Sequence, residues 1–326
     1  MVEKEGGARR ARFRVKAGEA GLRLADALVR FLPGVVGRPV PMARVRALVA
    51  SGGVRVDGEV RRGAGRPLRV GQAVEALVRP DLLRTRSEAS DRPFRLTASA
   101  ILFRDTALLA VDKPPGLPTH PTADRARPSL VGHVEAYLRA GGAGPWVGVH
   151  QRLDRDTSGI VLFAIDPRAS RGLARAFEGR EVEKSYVALT ARPPALPASR
   201  FRVSAPLGAP GRVGGHRVEV GGPGAKPAET EVVVLEALPH ALLVEARPLT
   251  GRKHQVRAHL AHAGLPILGD GVYGPHAAAA PRLMLHARRL GLVHPLTGER
   301  LRLESPVAAD FEEVLRGLRS APGRRR

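Results

Sequence analysis

Apolar residues along 22–31, at Leu22, Leu24, Ala27, Leu28 and Phe31, recur at spacings of two to four, which gathers most of them on one face of a helix. A second helix is expected over Met42–Ala50, separated from the first by the Pro-rich segment 33–41. Gly52 and Gly53 stop that helix before the alternating strand Val54-Arg55-Val56 and a turn at Asp57-Gly58, and a strand at Ala73–Val78 closes a first unit. Residues 80–96 are polar, contain two prolines and show no period, so they read as a linker. Beyond them, 107–111, IVLFAI (160–165), VVVL (232–235) and ALLVEA (241–246) predict buried strands, while 169–177 and 256–263 predict helices. The prolines of Lys113-Pro114-Pro115-Gly116-Leu117-Pro118 remove backbone donors and fix φ, which makes this segment a rigid loop. The Pro/Gly-rich stretch 206–228 is expected as a long hairpin or a flexible loop, and there is no internal repeat.

The mixture predicts an α+β protein. With 326 residues there is room for two folded units. The expected order is a basic N-terminal arm (1–19), a small α/β domain (20–79), the linker (80–96), a larger domain (97–318) and a basic tail (319–326).

Charge narrows the partner. There are 53 basic residues against 31 acidic ones, a net charge of +22, which suits a polyanion because each phosphate neutralised releases counterions. Only 6 of the 53 are Lys, a skew that biased codon usage explains, but that bias does not explain the excess of basic over acidic residues. The absence of cysteine excludes a disulfide framework, a thiolate zinc site, an iron–sulfur cluster and a cysteine nucleophile. The N-terminus lacks the apolar segment of a signal peptide, and no run of about 18 apolar residues occurs, so a cytoplasmic protein without membrane contact is expected.

In HQRLDRDTSGIVLFA (150–164) a charged turn holding Asp154 and Asp156 leads into an apolar strand, which sets a carboxylate at the mouth of a core strand. Such a turn suits catalysis, although charge-rich turns before strands are also commonplace. RLDRDTSG, however, is similar to the signature of the RluA-type pseudouridine synthases. That family's K-x-Y strand motif is matched by Lys184-Ser185-Tyr186, and its distal GR-[TS]-HQ-[IL]-R-x-H motif by GRKHQVRAH (251–259). VDKPPGLPTHP (111–121) and LGDGVYG (268–274) resemble two further family segments, so the likeness spans about residues 98–315. Helix, helix, Gly-Gly, VRVDG and RVGQAVEALV together resemble the S4 RNA-binding domain over residues 20–79.

The resemblance implies a catalytic domain built on a mixed, mainly antiparallel sheet, preceded by an S4-like module. The reaction it implies breaks the ribose C1′–N1 bond of uridine, turns the base and rejoins it through C5. That change involves no redox step and requires no cofactor. Asp154 matches the essential aspartate, acting as base, nucleophile or charge stabiliser. Arg252 is expected to contact Asp154, where a guanidinium orients a carboxylate. Tyr186 is expected against the target base, a core tyrosine being the alternative. Alternation places Lys184 on the face of Tyr186, to support the pocket or a phosphate. His254 and Gln255 are assigned to substrate RNA, and Arg152 and Arg155 either grip its backbone or are solvated turn residues. In the S4-like module Arg44, Arg46 and Arg55 are expected on phosphates.

The family pattern is broken at Gln151, which separates His150 from Arg152, at Lys253 in place of Thr or Ser, and at Ala258 in place of an aliphatic residue. His254, His259 and His262 lack the acidic companion of a zinc-hydrolase pattern, so no metal is expected. The expected partner is RNA, ribosomal RNA ahead of transfer RNA, acted on by a monomer. The competing reading is an idle RNA-binding or ribosome-assembly factor; retention of Asp154, Tyr186 and Arg252 weighs against it.

Overall fold

In the computed structural model of the chain, residues 2–5, 8–37, 40, 42–50, 52–61, 63–78, 94–121, 128–144, 146–210, 217–274 and 280–320 are described. They fall into two units, residues 1–92 with 277–281 and residues 93–276 with 282–326. The division lies inside the segment read as a linker, most of which is outside the described residues, as is the tail from 321.

The first unit holds β1 (Val2–Glu5), β2 (Ala8–Arg14), α1 (Leu24–Val36), α2 (Met42–Ala50), β3 (Val54–Val56), β4 (Glu59–Val60) and β5 (Ala73–Val78). The sheet is antiparallel throughout, in the order β1-β2-β5-β3-β4. Leu24, Leu28 and Leu32 of α1 meet Val45 and Val49 of α2 over Val54, Val56, Val74 and Ala76 of the sheet, so the 3.6- and 2-residue periods share one core. Asp57 and Gly58 both have positive φ, the conformation a two-residue hairpin requires between β3 and β4.

Two expectations fail in this unit. The segment read as a basic arm outside the small domain contains β2, paired from Arg9 to Arg14 with β5 and burying Ala11, because alternation within a basic run still leaves one apolar face. The first helix also continues through Pro33 to Val36 and ends at Gly37 in the left-handed conformation, where the Gly37 N–H donates to the Pro33 carbonyl.

The second unit contains β6 (Ile101–Arg104), β7 (Leu108–Lys113), α3 (Leu130–Ala140), β8 (Gly148–Val149), β9 (Ser158–Ala164), α4 (Pro167–Glu178), β10 (Glu183–Ala191), β11 (Arg200–Ser204), β12 (Leu207–Pro210), β13 (Val218–Val220), β14 (Glu229–Ala237), β15 (Ala241–Pro248), α5 (Gln255–His262), β16 (Leu285–Val293), β17 (Arg300–Glu304) and α6 (Ala309–Arg319). The large sheet runs β11-β14-β15-β10-β16-β9-β7-β6, with β17 on β16 and β8 on β9. It is antiparallel apart from the β9–β16 pairing, so the mixed, mainly antiparallel α+β expectation holds. Part of the Pro/Gly-rich stretch forms the β12–β13 hairpin, whose tip, 211–216, lies outside the described residues.

β9 is buried at every position. Leu108, Ala110, Ile160, Leu162 and Ala164 pack with Ala169 and Leu173 of α4, while Leu109, Val111, Val161 and Phe163 pack with Leu130, Val134 and Leu138 of α3. Helices on both faces explain why this strand reads as an unbroken apolar run. They also make it a rigid stem for the polar turn that precedes it.

Candidate active site

That turn carries Asp154. The Thr157 N–H donates to the Asp154 carbonyl at 3.1 Å, and Gly159 follows at φ 109°. A Cβ on Gly159 would lie 2.2 Å from the Ala287 carbonyl oxygen, so only glycine lets β9 and β16 approach here.

The loop of the KPPG segment is stapled to the turn from the other side. Lys113, wholly buried, donates from Nζ to the carbonyls of Pro114 (2.9 Å), Leu117 (2.8 Å) and Arg155 (3.0 Å). Burial pushes its ammonium down to about 7 while the charges of Asp156 and Asp154 oppose the shift. Thr119 adds a second staple, donating to the Leu153 carbonyl and accepting from the Leu153 N–H.

The cation that meets Asp154 is Arg257, on α5. Its Nη1 donates to Asp154 Oδ2 at 2.7 Å, while Nε and Nη2 form a two-pronged pair with Asp270, both at 2.8 Å. Asp270 is fully buried and also accepts from the backbone N–H groups of Val272 and Tyr273. Burial opposes charge on both partners, yet the mutual hydrogen bonds and attraction prevail, so Asp270 is held below the usual carboxylate range and Arg257 above the usual guanidinium range. Gly269 makes the approach feasible, since a Cβ there would collide with the Arg282 carbonyl.

His254 precedes α5 in the left-handed conformation, φ 54°, which costs about 1 kcal/mol or more. Its Nε2 then lies 3.6 Å from Asp154 Oδ1 and its Nδ1 3.2 Å from the Tyr273 hydroxyl. That hydroxyl accepts the Val218 N–H at 2.7 Å, leaving its own proton for Nδ1 and placing the imidazole N–H toward Asp154. Burial lowers the His254 pKa, in keeping with a neutral ring.

Asp154, Arg257, His254 and Tyr186 line one cavity of about 510 Å³. Arg152, Lys184 and Arg252 line it too. Tyr186 is half-buried, and burial first, then the charge of Asp154, raises its hydroxyl pKa. An aromatic face, a carboxylate and a fixed guanidinium thus share one enclosure, which suits holding a flat base while an anion acts beside it.

Three assignments change. Arg252, expected on Asp154, donates instead from Nε to the Pro227 carbonyl at 3.2 Å; it precedes α5, and the helix points Arg257 inward. Gln255, assigned to RNA, is buried and fully engaged: Oε1 accepts from Thr250 Oγ1 and the Arg252 N–H, and Nε2 donates to the Glu229 carbonyl and Thr230 Oγ1. Arg155 does not line the cavity; its side chain pairs with Asp156 at 3.2 Å. His150 bonds to Ser170 Oγ at 2.8 Å, and the Gln151 amide nitrogen is buried with no partner among the described residues.

Away from this cavity, Arg46 and Arg55 are exposed on the first unit, and the Arg44 side chain lies outside what is described. Among the described residues no cluster of His, Asp or Glu could hold a metal, and no helix is long and apolar enough to cross a membrane. His259 is a buried link, bonded to Thr230 Oγ1 and the Ala205 carbonyl.

Sequence reasoning missed Arg257, Asp270, Tyr273 and Lys113. The signal for Arg257 was its place three residues after His254, which puts both on one side of the helix start.

Comparison with known proteins places the cavity in context. Residues 107–262 match the family model for RNA pseudouridylate synthase. An uncharacterized RNA pseudouridine synthase of Chloroflexus aurantiacus is 34% identical over 304 residues, 90% of this chain and 90% of that protein. Ribosomal large subunit pseudouridine synthase C of Yersinia pestis is 33% identical over 324 residues, covering 94% of each. The solved structure of human RNA pseudouridylate synthase domain containing 4 matches with a TM-score of 0.56 at 27% identity, over 68% of this chain and 93% of that one.

Proposed function

The chain belongs to the RNA pseudouridylate synthase family, and on that basis we propose that it isomerises uridines of large-subunit ribosomal RNA with Asp154 as its essential carboxylate. The observation that carries the assignment of Asp154 is the Asp154–Arg257–Asp270 bridge. Arg257 is locked by Asp270 and offers its remaining arm to Asp154, so the carboxylate is held in one orientation at the cavity wall.

In the reaction the C1′–N1 bond breaks, the freed uracil turns, C5 bonds to C1′, and the C5 hydrogen is lost as a proton while N1 gains one. Asp154 meets the ribose side of this exchange. Tyr186 supports the base face, and His254 directs a ring N–H toward the carboxylate. A uridine paired in folded RNA must first leave its stack, at a cost of a few kcal/mol. The first unit, an S4-like module in this reading, offsets that cost through phosphate contacts at Arg46 and Arg55, both exposed.

The test is release of tritium to water from transcripts labelled at uridine C5. Release from large-subunit ribosomal RNA, and little from transfer RNA, is the expected result. Tight binding with no release from free or ribosome-assembled rRNA would make the protein an RNA-binding factor instead.

A further inference from the structure

The cavity extends beyond the groups that meet the target uridine. Phe177, Glu178 and Arg180 line a part of its wall near Lys184 that no step of the isomerisation uses. Lys184 is half-buried, and neither its side chain nor that of Arg180 makes a hydrogen bond or ion pair among the described residues. Of the acids nearby, Glu183 accepts from Arg300 at 2.6 Å, and the charge of Glu178 opposes the burial that lowers the His150 pKa. Burial, with the Arg180 charge added, lowers the Lys184 pKa, as befits an ammonium that has lost water and gained no anion.

The backbone at Arg180 gives a second, independent indication. This residue follows Gly179 at the end of α4 with φ 61°, a left-handed position where glycine is strongly favoured. An arginine there costs strain while its side chain forms no hydrogen bond or ion pair among the described residues, which is the pattern of a residue kept for a ligand.

We propose that Lys184 and Arg180 form a phosphate subsite that grips the RNA backbone next to the target uridine. Lys184 stands two residues before Tyr186 on β10, with a β-bulge between Ser185 and Tyr186, and both residues line the same cavity. A base against Tyr186 therefore brings one of its own phosphates to Lys184, and Arg180 closes on that phosphate from the helix end. The proposal rests on the cavity being the RNA site, and it adds a backbone contact to it.

The test uses the full chain, C5-tritiated large-subunit rRNA transcript and two variants, Arg180→Gly and Lys184→Met. Both relieve a cost in the free protein, backbone strain in one and a desolvated charge in the other, so melting temperatures are expected to stay level or rise. RNA recognition is expected to move the opposite way: KM rises about tenfold in each, and the slope of log(kcat/KM) against log[salt] becomes shallower by roughly 0.7 to 0.9 for the lost phosphate. Unchanged KM and salt slope in both folded variants would overturn the subsite. Lower melting temperatures with unchanged salt slopes would do so too, by making both residues structural. If wild type releases no tritium, the synthase reading fails, and the salt slope of filter binding to the same transcript still decides the subsite.

Discussion

α5 presents two polar networks that the sequence writes in one nine-residue motif. On one side Gln255 and His259 connect the Glu229 carbonyl, Thr230, Thr250 and the Ala205 carbonyl, and each amide and ring atom is used inside the fold. On the other, His254 and Arg257 reach Asp154 at the cavity wall, with Asp154 still 22% exposed. The saturated network builds the platform. The network left open to the cavity has capacity to spare for a substrate. Being polar and in the motif therefore does not make a residue part of the chemistry; having unspent hydrogen-bonding capacity at the cavity does.

The comparison breaks most visibly at Arg257. Arg257→Lys keeps a charge but cannot fork between two carboxylates, and tritium release is expected to fall about 100-fold or more. Complete truncation, Arg257→Met, leaves Asp270 buried without its cation and is expected to cost about 3–5 kcal/mol in chemical denaturation. Arg252→Met serves as the contrast, with no comparable loss of stability. If Arg252→Met were the more damaging of the two, the assignment of the cation beside Asp154 would be wrong.

A pH titration sharpens the same contrast from beneath the site. His286, buried between Ser158 and the Ser305 carbonyl, has its pKa lowered to about 4 by burial. Between that value and 6.5 the unfolded chain binds more protons than the folded one. Stability is therefore intact above about 6.5 and lost as pH falls toward 4, by roughly 3 kcal/mol from this group. Denaturation of His286→Asn across that range should show the slope flattened. An unchanged slope would remove His286 as its source.

Gln255→Leu is expected to have the smallest effect, about 1–3 kcal/mol of stability, because it strands the Thr250, Arg252 and Glu229 groups without touching the cavity chemistry. The melting temperature should drop while RNA affinity, measured well below it, stays put. Lost affinity in a folded variant would return Gln255 to the RNA-binding surface.

Much of this was legible in the chain. The apolar run at 160–165, the rigid KPPG loop and the Asp154 turn were read at their positions, since burial on both faces and proline geometry act locally. β16 was not legible: its LHARRLGLV mixes two arginines with apolar residues, and it lies between β9 and β10, which are remote in sequence. The Arg252-for-Arg257 exchange has a similar cause. Which of two arginines five residues apart reaches Asp154 depends on where α5 begins, and that start is set by a left-handed histidine that no local preference predicts. Lys113 was read only as part of a loop, because its three carbonyl partners exist only once the loop and the turn are folded together.

The most direct test of the account is single-turnover tritium release by Asp154→Asn, which keeps the shape of the side chain and removes its charge, at saturating C5-labelled large-subunit rRNA. The account predicts no release above background with RNA binding retained within about threefold, the loss being confined to the chemical step. Release within about tenfold of wild type would contradict it and move the essential group away from Asp154.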